Sequence, residues 1–304
     1  MWRDSMELMQ KHATDCEIRG FCRTTVSTYK GYIRHYLENI QDPLNVSRDE
    51  LRHVMRQLAD KEYSASSYKG YWAAVDDFYK FLQYEDITDY NPVPRFRERY
   101  LPRVINIAKS EQRQCIDLAQ MRQLIDRSHN IVELTMMLLL AKTGIRRGEL
   151  LDIEKKDVDL DKRTIRLQPK RKRSRDIVFM DEELAQTFQK YFTWWNDYSQ
   201  SKYLFLNKYQ DNKMTREMPN QIIQHHGYKL GLHNPDPDAH LDEKLSCHCF
   251  RHFFTTQLYE AGMSPEHIKY LRGDSLTREA WQIYLHIDPE QVKKEYERCI
   301  PSLL

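Results

Sequence analysis

Apolar residues recur at three- and four-residue intervals through the first third of this chain, and that period leaves little room for anything but packed helices. Val26, Tyr29, Ile33, Tyr36 and Ile40 form one stripe, the single face that a helix buries. Ser47-Arg-Asp-Glu50 then reads as a capping box, with the serine and glutamate side chains satisfying backbone donors that the first turn leaves open. Leu51, Val54, Met55 and Leu58 continue as a second stripe, and Trp72, Val75, Phe78, Tyr79 and Leu82 make a third. Tyr-Lys-Gly-Tyr occurs at 29–32 and again at 68–71, but the surrounding residues differ, so two similar helix starts explain it without an internal repeat. Between Asn91 and Pro102 three prolines interrupt the pattern, and Arg95, Arg97, Arg99 and Arg103 gather there with only Glu98 to oppose them. Proline breaks helices. The expected organisation is a helical domain over 1–90, a basic linker over 91–113 and a second domain over 114–304. A length of 304 residues suits two cores better than one.

The second domain reads as mixed. Leu118, Met121, Leu124 and Ile125 predict a helix, and the apolar run from Ile131 to Ala141 predicts another that ends at Gly144. Arg163–Gln168 and Asp176–Met180 are β-prone and flank Pro169–Arg175, which predicts a hairpin with a strongly basic tip. Helices return over Glu182–Tyr191, Arg251–Glu260 and Pro265–Tyr270, and from Pro289 onward as a tail helix. Val292, Tyr296 and Ile300 in that tail fit either its own core or a neighbouring subunit. Asn234-Pro-Asp-Pro-Asp238 is a loop, and the rest of 210–241 carries no clear period. The fold class expected is mainly α with a small antiparallel β-sheet.

Composition excludes more than it identifies. The net charge is only +2 although 30% of residues are charged, so any affinity for nucleic acid has to come from local basic patches. No signal-peptide order is found at the amino terminus, and the longest aliphatic run, Met136–Ala141, is far below the roughly 20 residues that span a bilayer. A cytoplasmic protein with no membrane partner is expected. The six cysteines are expected as reduced thiols, since a chain of this size does not depend on disulfides. Cys247, His248, Cys249 and His252 lack the paired spacing of a zinc site. No metal and no cofactor are expected.

Four side chains in the second domain carry the chemistry to cut a phosphodiester. They are Arg146 in Thr143-Gly-Ile-Arg-Arg-Gly-Glu-Leu150, His248 and Arg251 in His248-Cys-Phe-Arg251-His252, and Tyr284 in Ile283-Tyr-Leu-His-Ile287. Phosphoryl transfer concentrates negative charge in its transition state, so fixed cationic donors give the main acceleration. Arginine suits that task because it stays charged and grips two oxygens at once. Arg251 follows His248 by three residues and shares its helical face. His248, with an ordinary pKa near about 6.5, is fit to move a proton or hold a phosphate oxygen. Tyr284 is the nucleophile candidate, a phenol that positive charge can activate to form a phosphotyrosine ester. Lys170-Arg-Lys-Arg-Ser-Arg175 adds a lysine, Lys170 or Lys172, able to protonate a leaving 5′ hydroxyl, while Arg171 and Arg173 offer contacts to phosphates. Alone, each has a plainer reading: a surface arginine, a structural histidine, a solvated tip, one packed tyrosine among 19.

In this order and at these separations the pattern resembles the tyrosine recombinase (phage-type integrase) family, and the resemblance extends over most of the chain. It implies a helical core-binding domain followed by a catalytic domain whose tyrosine attacks a DNA phosphate. It also implies a 3′-phosphotyrosine intermediate and strand exchange on a tetramer bound to paired sites in double-stranded DNA, without ATP or metal. The free protein is expected as a monomer or weak oligomer. Carried over, Arg146, Lys170, His248, Arg251 and Tyr284 take the catalytic roles, with the hairpin lysine best placed at Lys170 and Lys172 as its competitor. The basic linker Arg95, Arg97, Arg99 and Arg103 is expected on phosphates. One departure stands out: where the family commonly has Gly-His or Gly-Trp, this chain has Gly273-Asp274. Asp274 and His286 are therefore candidates for a supporting role. The Arg-Gly-Asp-Ser form resembles some archaeal integrases, and no arm-site-binding module is expected ahead of the helical region. Two other functions compete: a DNA-binding protein of the same fold that does not cleave, and a metal-dependent hydrolase built on the cysteines and histidines.

Overall fold

The computed structural model describes residues 2–61, 63–107, 113–168, 175–207, 210–274 and 287–304. Two compact units divide the chain, Met1–Glu111 and Gln112–Leu304.

The first unit is helical among its described residues: α1 (Trp2–Ile18), α2 (Arg23–Glu38), α3 (Arg48–Asp60), α4 (Ala65–Tyr84) and α5 (Val93–Ile107). The expected stripes become its core, with Ile33, Tyr36, Val54, Leu58, Trp72, Val75, Phe78 and Leu82 fully buried. Removing each such side chain from water contributes roughly 1.5–3 kcal/mol. The capping box at the start of α3 forms as expected: Glu50 N–H donates to Ser47 Oγ at 3.2 Å, and Ser47 N–H donates to Glu50 Oε2 at 2.8 Å. Helix α1 carried no stripe in the sequence because polar side chains sit on its buried face. Ser5 and His12 are buried there beside Met9, Ala13 and Cys16.

The stretch expected as a linker is different. Residues 93–107 form α5, and its Val93, Phe96 and Leu101 are buried in the core of the first unit. Prolines misled because position matters more than count. Pro94 stands in the first turn, where a missing N–H breaks no bond. Pro102 interrupts a single rung of a helix that Phe96 and Leu101 anchor by burial.

The second unit is built around α7 (Ile131–Thr143), which packs on α9 (Glu182–Tyr198) and α11 (Cys247–Glu260). Residues Thr135–Thr143 of α7 are all buried, so it carries no one-sided stripe and read as a plain apolar run. Around it lie α6 (Leu118–Asp126), α8 (Arg147–Leu150), α10 (Met218–Lys229), α12 (Pro265–Arg272) and α13 (Pro289–Cys299). Strands β1 (Val158–Asp159), β2 (Thr164–Arg166) and β3 (Ile177–Phe179) make an antiparallel sheet in sequence order, with Ile165 opposite Val178. The hairpin predicted over 163–180 is β2–β3. Its basic tip lies outside the described residues. A second antiparallel pair, β4 (Leu206–Asn207) and β5 (Gln210–Lys213), and α10 occupy the region without a legible period.

The tail packs in its own unit. Val292, Tyr296 and Cys299 of α13 are buried with Phe254, Leu258 and Leu271, and Tyr296 donates to the Lys142 carbonyl at 3.0 Å. Lys142, itself fully buried, reaches Asp181, Glu183 and the Pro301 carbonyl, while Glu183 accepts from the Leu303 backbone N–H at 3.0 Å.

Candidate active site

A sharp turn starts the site. Gly144 ends α7 in the left-handed conformation, φ +58°, and a Cβ there would meet the Phe254 ring at 2.4 Å. Only glycine satisfies both conditions. The turn delivers Arg146 to the start of α8, where the buried Glu149 carboxylate accepts from Arg146 N–H at 2.8 Å and from its Nη1 at 3.2 Å. Backbone and guanidinium are thus aimed by one buried anion.

Arg251 comes from the facing helix. Five per cent exposed, it donates Nη1 to the Gly144 carbonyl at 2.7 Å and Nη2 to the Arg272 carbonyl at 2.8 Å. Arg146 Nη1 reaches the same Arg272 carbonyl at 3.2 Å. The two guanidiniums therefore converge at the end of α12, which Gly273 closes with φ +62°. Immediately beyond it, Asp274 Oδ1 receives Arg146 Nη2 at 2.8 Å and Arg251 Nη2 at 2.9 Å. Arg272 Nε lies 3.0 Å from Oδ2 as an ion pair.

This constellation opens on a cleft of about 710 Å³ lined by Arg113, Arg146, Arg147, Arg216, Arg251 and His248, among others. His248 stands one turn before Arg251 on α11, and its ring packs edge-on against His252 at 4.9 Å. Although the ring touches solvent, local desolvation, followed by the charges of Arg113, His252, Arg251 and Arg272, pushes its pKa down to about 4. It is neutral at neutral pH and able to accept a proton. Burial, with Arg146 nearby, brings Arg251 down to about 10, which still leaves it charged.

The expected site residues fall into three groups. Arg146, His248, Arg251 and Asp274 are brought together. Tyr284, His286, Lys170, Lys172, Arg171 and Arg173 lie outside the described residues. Arg95, Arg97, Arg99 and Arg103 belong to the first unit, on α5: Arg95, Arg99 and Arg103 are exposed, and Arg97 lies 3.5 Å from Asp76. Cys247 and Cys249 are buried in the core while His248 and His252 on the same helix are exposed, so the four do not converge on one point. Burial raises the Cys247 thiol to about 12. Among the described residues a different trio, His12, Cys16 and Asp77, brings ligand-type atoms within 4.8 Å of one another. All six cysteines are free thiols.

Sequence reading missed Glu149, Arg272, Arg113 and Arg216. Glu149 had a signal: it stands three residues after Arg146, the spacing by which a carboxylate caps the residue before a helix. Arg272 opens the Arg-Gly-Asp-Ser form at 272–275, where sequence reading assigned it no role. Arg113 and Arg216 reach the cleft only through tertiary folding.

Known proteins match along the same lines. Residues 114–291 match the Phage integrase family, and residues 17–86 match the Phage integrase, N-terminal SAM-like domain family. The chain belongs to the phage integrase family. Among its relatives is the tyrosine recombinase XerD of Chlorobaculum tepidum, 24% identical, with 99% of this chain and 97% of the relative aligned. The tyrosine recombinase XerA of Pyrococcus furiosus is 23% identical over 96% and 94%. The fold is that of the Tn1549 transposon integrase in complex with circular intermediate DNA, with a TM-score of 0.68 at 19% identity over 95% of this chain and 98% of that one. It is likewise that of a lambda integrase dimer bound to a COC′ core site, TM-score 0.69 at 16% identity over 90% and 96%.

Proposed function

We propose that this protein is a site-specific DNA recombinase that cleaves and rejoins strands by tyrosine transesterification. It would serve integration and excision of a mobile element or the resolution of replicon dimers. The observation that carries the reading is the convergence of Arg146 and Arg251 on a single anionic oxygen, at the edge of an arginine-lined cleft that also holds His248.

In this reading Arg146 and Arg251 grip the non-bridging oxygens of the scissile phosphate and stabilise the charge that grows there. Glu149 and the Gly144 carbonyl hold them in place, so little reorganisation accompanies the reaction. Neutral His248 accepts the phenolic proton as Tyr284 attacks phosphorus. The P–O bond to the 5′ oxygen breaks, that oxygen takes a proton from Lys170 or Lys172, and a 3′-phosphotyrosine and a 5′ hydroxyl remain. Reversal by a second 5′ hydroxyl reseals the strand. The ester conserves the bond energy, so neither ATP nor a metal is needed. Double-stranded DNA is the partner, and the exposed Arg95, Arg99 and Arg103 of α5, with Arg171 and Arg173, supply phosphate contacts. The first unit, α5 included, acts as the core-binding domain and the second as the catalytic domain. The protein works in the cytoplasm as a tetramer on paired sites and as a monomer or weak oligomer off DNA. No helix among the described residues is long and apolar enough to cross a membrane.

The test is an SDS-resistant protein–DNA adduct, formed on nicked fragments of the protein's own replicon without added metal. Adduct with the wild type and none with Tyr284→Phe is the expected result. No adduct from either protein, despite footprinted specific binding to a nicked site, would replace the reading with a DNA-binding protein that does not cleave.

A further inference from the structure

Asp274 stands where three guanidiniums meet. Arg146 and Arg251 both donate to its Oδ1, at 2.8 and 2.9 Å, and Arg272 Nε faces Oδ2 at 3.0 Å. We propose that the Asp274 carboxylate is a tethered anion that fills the phosphate place in the free protein and is displaced when a phosphodiester enters, with Arg272 as a third phosphate-holding cation. The proposal deepens the recombinase reading and rests on it for the identity of the incoming anion.

Three observations support it. First, the geometry suits either occupant. A carboxylate and a phosphodiester each spread one negative charge over two oxygens, and arginine binds both through the same donors. Two guanidiniums sharing one oxygen while a third faces the other is an arrangement that a phosphate can inherit without moving the arginines.

Second, charge at the site is unbalanced. Arg146, Arg251 and Arg272 are met by Asp274 and Glu149, and Arg113, Arg147 and Arg216 line the adjoining cleft. Among the described residues a surplus of fixed cations persists with Asp274 in place, which favours a further anion there. Arg272 Nε is buried and makes no aligned hydrogen bond among the described residues, in spite of its short distance to Asp274. The planar carboxylate leaves that donor unmatched, while the tetrahedral oxygens of a phosphate point in more directions.

Third, the carboxylate is placed to leave. Its side chain is 30% exposed, and water can hydrate it once it rotates away, so its hold on the arginines is that of a partly screened ion pair. Arg251, by contrast, is 5% exposed and bonded to two backbone carbonyls, so the cationic cradle stays when the aspartate goes. An anion that competes from within lowers the apparent affinity for phosphate by the fraction of time the cradle is occupied.

Calorimetric titration of the full chain with inorganic phosphate tests the proposal, using the wild type, Asp274→Asn and Asp274→His, each first shown to melt cooperatively. Both variants are expected to bind phosphate roughly tenfold more tightly. Unchanged or weaker binding by the folded variants would overturn the proposal, because Asp274 would then order the arginines and not compete with their ligand. If neither variant folds, phosphate titration of the wild type labelled with 13C at aspartate carboxyls decides. One carboxyl resonance is expected to move with the half-saturation of binding, and resonances that all stay put would overturn it. Failure of the recombinase reading looks different: phosphate binds as described, yet no Tyr284 adduct forms.

Discussion

In the first unit Asp77 receives Arg19 through both oxygens, at 2.8 and 3.2 Å, and His12 Nε2 at 3.0 Å. In the second, one carboxylate, Asp274, faces three arginines at the edge of an open cleft. Burial works against the charge on Asp77, but hydrogen bonds from His12 and Arg19 outweigh it and hold its pKa down to about 2. Burial first, and then Asp77, pushes the neighbouring Cys16 thiol up to about 12, which keeps it protonated. Donors and acceptors are matched there, and the cluster ties α1 to α4. At Asp274 the cations outnumber the anion. Both regions set an aspartate against arginine, one at Asp77 and three at Asp274; the first cluster holds helices together, and the second, richer in cations, is prepared for a ligand.

The comparison breaks most readily at the arginines. Arg146→Ala or Arg251→Ala should slow adduct formation by about 10²–10³-fold, the usual loss when one donor to a developing anion is removed. Single-turnover cleavage of a nicked substrate would measure it. Asp77→Asn, at a temperature where the chain is folded, should leave that rate unchanged. A comparable loss with Asp77→Asn would erase the distinction between the two clusters.

Stability should show the opposite ranking. Asp77→Asn takes the carboxylate acceptor from the buried His12 and from the exposed Arg19, and should cost about 1–2 kcal/mol in urea unfolding. Because the Asp77 pKa is depressed in the fold, its contribution is complete above its unfolded value, near 3.8, and is lost as pH falls toward 2. Acid titration of wild type against Asp77→Asn should converge across that window. Gly144→Ala adds strain at positive φ and a collision with Phe254, and should cost about 1–3 kcal/mol, seen as a lower melting temperature.

The smallest effect belongs to His248. Its folded pKa, about 4, lies below the ordinary value of 6.5, so the unfolded chain binds the proton more readily. Stability should decline as pH falls from 6.5 toward 4, and His248→Asn should flatten that slope. An unaltered slope would place the acid sensitivity elsewhere.

Much of the first unit was legible in the chain because its core is lined by one face per helix. The stripes in α2, α3 and α4 and the Ser47–Glu50 box are all local, set by neighbours within a few residues. Helix α5 was not legible, since proline reads as a break until its position within the helix is known. Helix α1 stayed hidden because His12 is buried through a partner 65 residues away, Asp77. At the site, Arg146, His248 and Arg251 could be singled out from residue type and spacing. Arg272 could not, because its importance lies in standing beside them.

Sequence alone determined the helical period, the caps, the glycine at position 144 and the pairing of His248 with Arg251 on one helical face, because each follows from contacts within about one turn. Tertiary structure decided the rest. It packed Val292, Tyr296 and Cys299 of the tail helix against Phe254, Leu258 and Leu271, aimed Arg146 through Glu149, and gathered Arg146, Arg251 and Arg272 around Asp274. Those outcomes depend on charges and carbonyls from segments as far as 159 residues apart, and Coulomb interactions act on distance in space, which only the fold supplies.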